Sequence, residues 1–246
     1  MDLQNKVAIV TGGNGGLGQR ICLALANAGC KIAVVYAKSK DQAEEVASGL
    51  DTEAIAVACD LANASDIQKM VDQVLAHFGQ IDILVNDAAY NKWIPFDDLD
   101  ALTLEEWDKI LAINLTGPML CIKAVAPAMK KQGAGRVINI SSIAGMGPSG
   151  SSIPYAVSKA GLNHLTKCMA VGLAPEVTVN GLAPGYIEGT RATSNLAPEY
   201  RERAATNNLL QKPADKDDIA DQVVALCKAD TITGQTLVVD SGRHFH

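Results

Sequence analysis

Seven short β-branched runs recur along the chain, each separated from the next by a helix-length segment. They are Val7–Val10, Ile32–Tyr36, Ala54–Ala58, Ile81–Val85, Arg136–Ile140, Val177–Asn180 and Thr236–Val239. A strand, a helix and a second parallel strand make a βαβ unit, and right-handed crossovers join such units into one sheet with helices on both faces. The expected fold is a Rossmann-type, doubly wound α/β domain built on a parallel seven-stranded sheet. Strands covered on both sides need continuous apolar runs. The palette agrees: 48% of residues are hydrophobic and only 4% aromatic, so Ala, Val, Ile and Leu must fill the core. No repeat, linker or low-complexity tract interrupts the alternation, and residues 1–246 read as one domain. One stretch departs from it. Pro184–Pro213 is rich in Pro, Gly and polar residues, with weak helical patterning around Glu199–Leu210. A long excursion after a strand reads as a substrate loop or lid, here at about 186–212.

The formal net charge is −6 and no long basic run is present, which argues against nucleic-acid or anionic-membrane partners and for a small soluble one. Val7–Val10 is too short for a signal-peptide core, and no uninterrupted apolar run reaches the ~18 residues of a membrane span, so the expected location is cytoplasmic. Six cysteines (Cys22, Cys30, Cys59, Cys121, Cys168, Cys227) are scattered without a CxxC pair and read as reduced, mostly core residues. The four histidines (His77, His164, His244, His246) fall in no metal or triad arrangement, and no metal site is expected.

Ligands of doubly wound sheets bind beyond the carboxyl ends of the strands, so chemistry is sought just after each run. After the first comes Thr11-Gly12-Gly13-Asn14-Gly15-Gly16-Leu17-Gly18, opening a helix over Gln19–Ala28. Glycines there let the backbone approach a pyrophosphate, and the free N–H groups at the helix start attract its charge. The spacing is TGxxxGxG rather than GxGxxG. Downstream, Tyr155 and Lys159 stand four apart, on one face of a helix. An unperturbed phenol titrates near ~10, so a tyrosine acting as acid or base near neutrality needs a nearby positive charge, which Lys159 can supply. Taken alone, YxxxK is a common surface pattern. Here Ser142 precedes Tyr155 by thirteen residues, straight after a strand, and Asn114 precedes it by 41, in a helical stretch.

Taken together, the glycine turn, Asn114, Ser142, Tyr155 with Lys159, and Asn180-Gly-Leu-Ala-Pro184-Gly185 resemble the classical short-chain dehydrogenase/reductase family from about Lys6 to Gly242. The resemblance implies a hydride-transferring oxidoreductase with a nicotinamide cofactor, acting on a carbonyl or secondary alcohol. Tyr155 is then the acid/base, and Ser142 the hydrogen-bond partner of the reacting oxygen. Lys159 holds the ribose hydroxyls and lowers the tyrosine pKa, while Asn114 supports a water relay. Gly12, Asn14, Gly16, Leu17 and Gly18 take the phosphates. Asp60 and Leu61 meet adenine, although Asp60 also reads as a simple helix cap before Ser65. Asn86 and Ala88 line the cofactor after the fourth strand. Pro184 and Gly185 shape the loop over the nicotinamide, with Ile187 and Thr190 as candidates for its carboxamide. The chain departs from the family's NNAG pattern at Asp87 and Ala89, and its Thr190 falls one residue late because Gly189 intervenes.

For the cofactor, NAD-preferring relatives carry an acidic residue at the end of the second strand. This chain has Tyr36 there, followed by Lys38, Ser39 and Lys40, with no carboxylate before Asp41. That favours NADP, although Gly15 stands where NADP-preferring relatives often carry Arg or Lys, and NAD is the alternative. Ile143, Met146, Trp93, Ile94, Tyr186 and Leu196 are candidates for the substrate wall. Resemblance further implies a homotetramer joined through the helices of Asn114 and Tyr155, with Phe245 near a subunit boundary. Two family activities, reduction of a 3-oxoacyl thioester and reduction of a pterin, stand beside the general reading. A cofactor-binding regulator without turnover is the remaining alternative.

Overall fold

The computed structural model describes residues 1–245. The seven runs become strands β1 (Val7–Thr11), β2 (Lys31–Tyr36), β3 (Ala54–Ala58), β4 (Ile83–Asn86), β5 (Gly135–Ile140), β6 (Val177–Pro184) and β7 (Thr236–Val239). They form one all-parallel sheet in the order β3-β2-β1-β4-β5-β6-β7. The chain order reverses between β1 and β4, and a crevice opens there beyond the strand ends. Two boundaries shift from expectation by two residues or more. β6 runs on to Pro184 because Gly181–Pro184 pairs with β7. The fourth strand starts at Ile83 because Asp82, just before it, turns its carboxylate to Val7 N (2.9 Å) and Lys6 Nζ (3.1 Å).

Among the described residues nine α-helices connect the strands: α1 (Gly18–Asn27), α2 (Lys40–Ser48), α3 (Ala64–Phe78), α4 (Leu104–Leu111), α5 (Gly117–Gln132), α6 (Ile153–Leu173), α7 (Arg191–Ser194), α8 (Pro198–Thr206) and α9 (Lys216–Lys228). Because side chains of a strand alternate between faces, each strand supplies two separate cores. Ala8, Val10, Ile32, Val34, Ile83, Val85 and Ile138 pack with residues of α1 and α9 on one face. Val7, Ile9, Ala33, Val35, Leu84, Val137 and Val179 pack with α3 and α5 on the other. Cys22, Cys30, Cys59, Cys121 and Cys227 are buried in these layers and Cys168 is exposed.

The helical run Leu104–Gln132 is, among the described residues, the one segment long and apolar enough by average composition to cross a membrane. It holds no uninterrupted apolar run of that length, because Glu105, Glu106, Asp108, Lys109 and Lys123 break it. Its apolar side packs inward: Cys121, Ile122, Val125 and Met129 are fully buried. The run is also not one α-helix. Ala112–Thr116 forms a turn of π-helix between α4 and α5, with Asn114 in it, where the sequence suggested plain helix.

Candidate active site

The glycine turn joins β1 to α1 under tight steric limits. Gly12 has φ +68°, and a Cβ there would lie 2.9 Å from Ala88 Cα; one on Gly18 would lie 2.2 Å from Gly12 O. Only glycines allow this close approach. Helix α1 begins after Leu17 with no side-chain cap and no acidic residue in its first turn; Gln19 N donates to Gly15 O (2.9 Å), and no side chain takes the other leading N–H groups. Thr11 Oγ1 accepts from Asp87 N (3.1 Å) and Ala88 N (3.2 Å), which fixes the Asn86–Ala88 segment beside the turn. A Cβ on Gly16 would meet Gly189 O at 2.7 Å, so the segment after β6 lies against the same turn. Gly12, Asn14, Gly16, Leu17, Gly18 and Ala88 therefore converge on one cradle, and its uncapped helix start suits a diphosphate. Asn14 Nδ2 reaches Ser39 O (3.4 Å), which brings Ser39 and the exposed Lys38 close to the cradle beside Tyr36, the last residue of β2.

The other expected cofactor positions differ in detail. Asp60 does not cap α3. It is exposed and accepts from Ala62 N (2.9 Å), while Asn63 takes Ser65 N and is the true cap, because it lies adjacent to the first helical residue. Leu61 is buried beside it. Asn86 directs its Nδ2 to Asn139 Oδ1 (2.9 Å), and its own Oδ1 is buried without a partner among the described residues. Ala89 needs no glycine: it is not at positive φ, where the non-glycine residues among the described ones are Asn5, Gln211 and Ser241. Pro184 ends β6, Gly185 follows it and Ile187 is buried. Thr190 caps α7, exchanging hydrogen bonds with Thr193, so its hydroxyl is already engaged.

Ser142, Tyr155 and Lys159 come together through one contact. Ser142 ends the β5 loop and caps a short 3-10 turn, Ile143–Gly145. That turn lies on the backbone of α6 so closely that a Cβ on Gly145 would sit 2.5 Å from the Lys159 carbonyl carbon. Ser152 caps α6 by accepting from Tyr155 N (3.3 Å), and Ser141 Oγ donates to Lys159 O (3.2 Å). Lys159 is buried; its Nζ donates to Ile140 O (2.8 Å) and lies 5.8 Å from the Tyr155 ring centre. Asn114 is fully enclosed: Oδ1 accepts from Tyr90 N (2.8 Å), and Nδ2 donates to Tyr90 O (2.9 Å) and Ser158 Oγ (3.1 Å). Its side chain is spoken for, so any relay through this point must use other atoms of the π-turn.

Burial governs the charges. The Tyr155 phenol is pushed up to about 12, chiefly by burial, and the hydrogen bond to Ser142 pulls the other way. Lys159, expected to bring the phenol down, is not among the groups that shift it. The lysine is itself lowered to about 8 by burial, and its Nζ is turned to a backbone carbonyl. Asp87, which stands where the family pattern has Asn, is raised to about 7 by burial, with Lys159 acting against the rise.

Beside Ser142 and Tyr155 lies a cavity of about 550 Å³ including its open mouth, lined also by Asn91, Tyr186, Leu196, Tyr200 and Arg243. Of the six expected wall residues, Ile143, Tyr186 and Leu196 line it. Trp93, Ile94 and Met146 do not: Trp93 packs on Tyr200 (ring centres 5.2 Å apart), Ile94 is buried with its N–H bonded to Ser151 O, and Met146 ends the 3-10 turn. Sequence reasoning missed Asn91, whose Nδ2 ties the loop after β4 to Ala192 O (2.9 Å), together with Tyr200 and Arg243. It also missed Ser158, although that residue stands inside the YxxxK spacing itself.

The short chain dehydrogenase family model matches residues 6–201. A 3-oxoacyl-(acyl-carrier-protein) reductase of Synechocystis sp. is 39% identical over 248 residues, covering 98% of this chain and 97% of the relative. One from Staphylococcus epidermidis is 36% identical over 247 residues, covering 98% and 99%. The crystal structure of a short-chain type dehydrogenase/reductase from Mycobacterium marinum superposes with TM-score 0.89 at 32% identity, covering 98% of this chain and 96% of that one. With a family match over most of its length and relatives of nearly its own extent, the chain belongs to the short-chain dehydrogenase family of oxidoreductases, acting on C=O and CH–OH groups.

Proposed function

We propose that the chain is an NADP(H)-dependent carbonyl reductase in which Tyr155 is the general acid, Ser142 the partner of the reacting oxygen, Lys159 the holder of the cofactor ribose and Asn114 the support of α6. The observation that carries this is the meeting of Ser142 and Tyr155 beside a cavity, with Nζ of the buried Lys159 5.8 Å from the Tyr155 ring centre. Burial keeps the phenol protonated at neutral pH, the form that donates to a carbonyl oxygen in reduction. Ser142 hydrogen-bonds the same oxygen as its charge develops. The bound nicotinamide supplies the hydride, and the protein supplies placement and electrostatics. Gly12, Asn14, Gly16, Leu17 and Gly18 hold the phosphates; Asp60, Leu61, Asn86 and Ala88 line the adenosine half; Pro184, Gly185, Ile187 and Thr190 close over the nicotinamide. Residues 1–246 act as one domain whose 186–212 segment is the substrate lid.

The preference for NADP rests on the end of β2. Lys38 is exposed and has no carboxylate partner among the described residues, whereas Lys40 pairs with Glu44 at 3.4 Å. NADPH is expected to give the higher kcat/KM by about tenfold or more, the size of one charge-assisted contact; a tenfold preference for NADH overturns the assignment. Tyr155→Phe is expected to bind NADPH almost normally and lose kcat by about 100-fold or more; unchanged turnover refutes the role.

The names of the curated relatives favour one narrower reading, reduction of a 3-oxoacyl thioester. A panel of ketones, aldehydes, 3-oxoacyl thioesters and pterins, followed by loss of NADPH absorbance, separates it from the general one. A homotetramer joined through α4–α5 and α6 is supported by the exposed apolar Leu104, Val157 and Val171 on those helices, and Phe245 is exposed enough to join a boundary. A cytoplasmic setting suits six free thiols.

A further inference from the structure

The C-terminal tail brings a cation into the substrate cavity. After β7, the carboxylate of Asp240 accepts three backbone N–H groups: Gly242 (2.9 Å) and Arg243 (3.1 Å) on Oδ1, and His244 (2.7 Å) on Oδ2. Gly185 packs against this turn so closely that a Cβ there would sit 2.9 Å from Asp240 Cα. The end of the lid fastens the turn from its other side, through Leu209 N to Gly242 O (3.3 Å), Leu210 N to Ser241 O (3.1 Å) and Ser241 Oγ to Pro213 O (3.2 Å). Arg243 is thus held by a built turn, and it lines the cavity that contains Ser142 and Tyr155. It is the only formally charged side chain among the lining residues; the others are Ser, Thr, Asn, Tyr, Gly and aliphatic. Its guanidinium has no carboxylate or hydrogen-bond partner among the described residues, although Asp240 is close in sequence, because that carboxylate is filled by backbone donors.

An unpaired guanidinium in a small cavity is a fork of donors awaiting a planar anion. We propose that Arg243 is a specificity-determining residue that binds a carboxylate on the substrate, so that the enzyme reduces oxo acids whose carboxylate and carbonyl lie a few bonds apart. The proposal rests on the assignment of Ser142 and Tyr155 to the reacting oxygen. A phosphate on a pantetheine arm offers the same anionic chemistry, but it lies the length of the arm from a thioester-borne carbonyl, too far for this cavity.

The test compares acetoacetate, 4-oxopentanoate and 5-oxohexanoate with their methyl esters, and with an acetoacetyl phosphopantetheine thioester, using wild type, Arg243→Met and Arg243→Lys. For the best oxo acid, Arg243→Met is expected to raise KM about tenfold or more, the worth of one hydrogen-bonded charge contact, with kcat within about twofold. The ester is expected to be unaffected and Arg243→Lys to recover part of the loss. Equal effects on acid and ester, or none, overturn the proposal, and so does an effect confined to the phosphopantetheine substrate. Calorimetric binding of the same acids in the presence of NADP separates the two readings. Acid binding that Arg243→Met abolishes, with no turnover of any substrate, keeps this site and sinks the reductase; turnover of esters with no acid binding does the reverse.

Discussion

Burial works against the charges of both Asp87 and Lys159, and each offsets part of the other's penalty. The Asp87 charge is also felt by Tyr155 and by the buried Cys22 thiol, both of which it pushes up. The sign of the pH dependence follows. The Asp87 carboxyl, near 4 in the unfolded chain and about 7 in the fold, holds its proton better when folded, so its stability contribution is full below pH 4 and lost as pH rises to 7. Asp87→Asn keeps the hydrogen-bonding shape and removes that loss. Its melting temperature is expected to exceed wild type at pH 8 and to match it near pH 4; an equal difference at both pH values contradicts the placement of Asp87. The same substitution removes the carboxylate that raises Lys159, so the alkaline limb of kcat/KM should move to lower pH, below the wild-type lysine at about 8. The identity of residue 87 was legible in the sequence as a departure from a pattern. Its ionisation was not, because that depends on how much water the loops around it exclude.

At the scale of elements, the site is a joint between the β5 loop and α6. The four-residue spacing of Tyr155 and Lys159 placed both on one helix face, and the structure keeps that geometry. What spacing cannot show is which turn packs on that helix. Gly145 is the residue that permits the contact, and Gly145→Ala puts a methyl group where the Lys159 backbone already is. The substitution is expected to lower stability by about 1–3 kcal/mol, typical of overpacking. It should also lower kcat more than it raises KM, as Ser142 moves away from Tyr155; thermal unfolding and steady-state kinetics check both. Asn114 makes the same point. Its π-turn exists where the side chain closes on the Tyr90 backbone, a partner 24 residues away, and helical periodicity carries no trace of it.

For the whole molecule, the glycine turn and the segment after β6 meet at one seam. Gly189 lies over the glycine turn, Lys216 Nζ donates to Gly189 O (3.3 Å), and Asn91 ties the loop after β4 to α7. A ligand bound in that seam stabilises the folded state. NADPH at about 100 times its Kd should therefore add about 2.7 kcal/mol, read as a rise in melting temperature, and NADH at the same concentration should add less. Equal rises contradict the preference assigned to Lys38. The seven strands of a parallel sheet and the order of the motif residues were legible in the sequence, because the apolar period and the glycine, tyrosine and lysine spacings are local properties of the chain. The sequence also showed a loop before residue 213 without showing what the loop covers. Tertiary packing alone buries Tyr155 enough to raise its phenol, encloses Asn114 and sets Trp93 on Tyr200 rather than on the cavity. It also brought Arg243 to the cavity that Ser142 and Tyr155 line. Each of these depends on burial or on a partner far away in sequence, and neither is written in the neighbours of a residue.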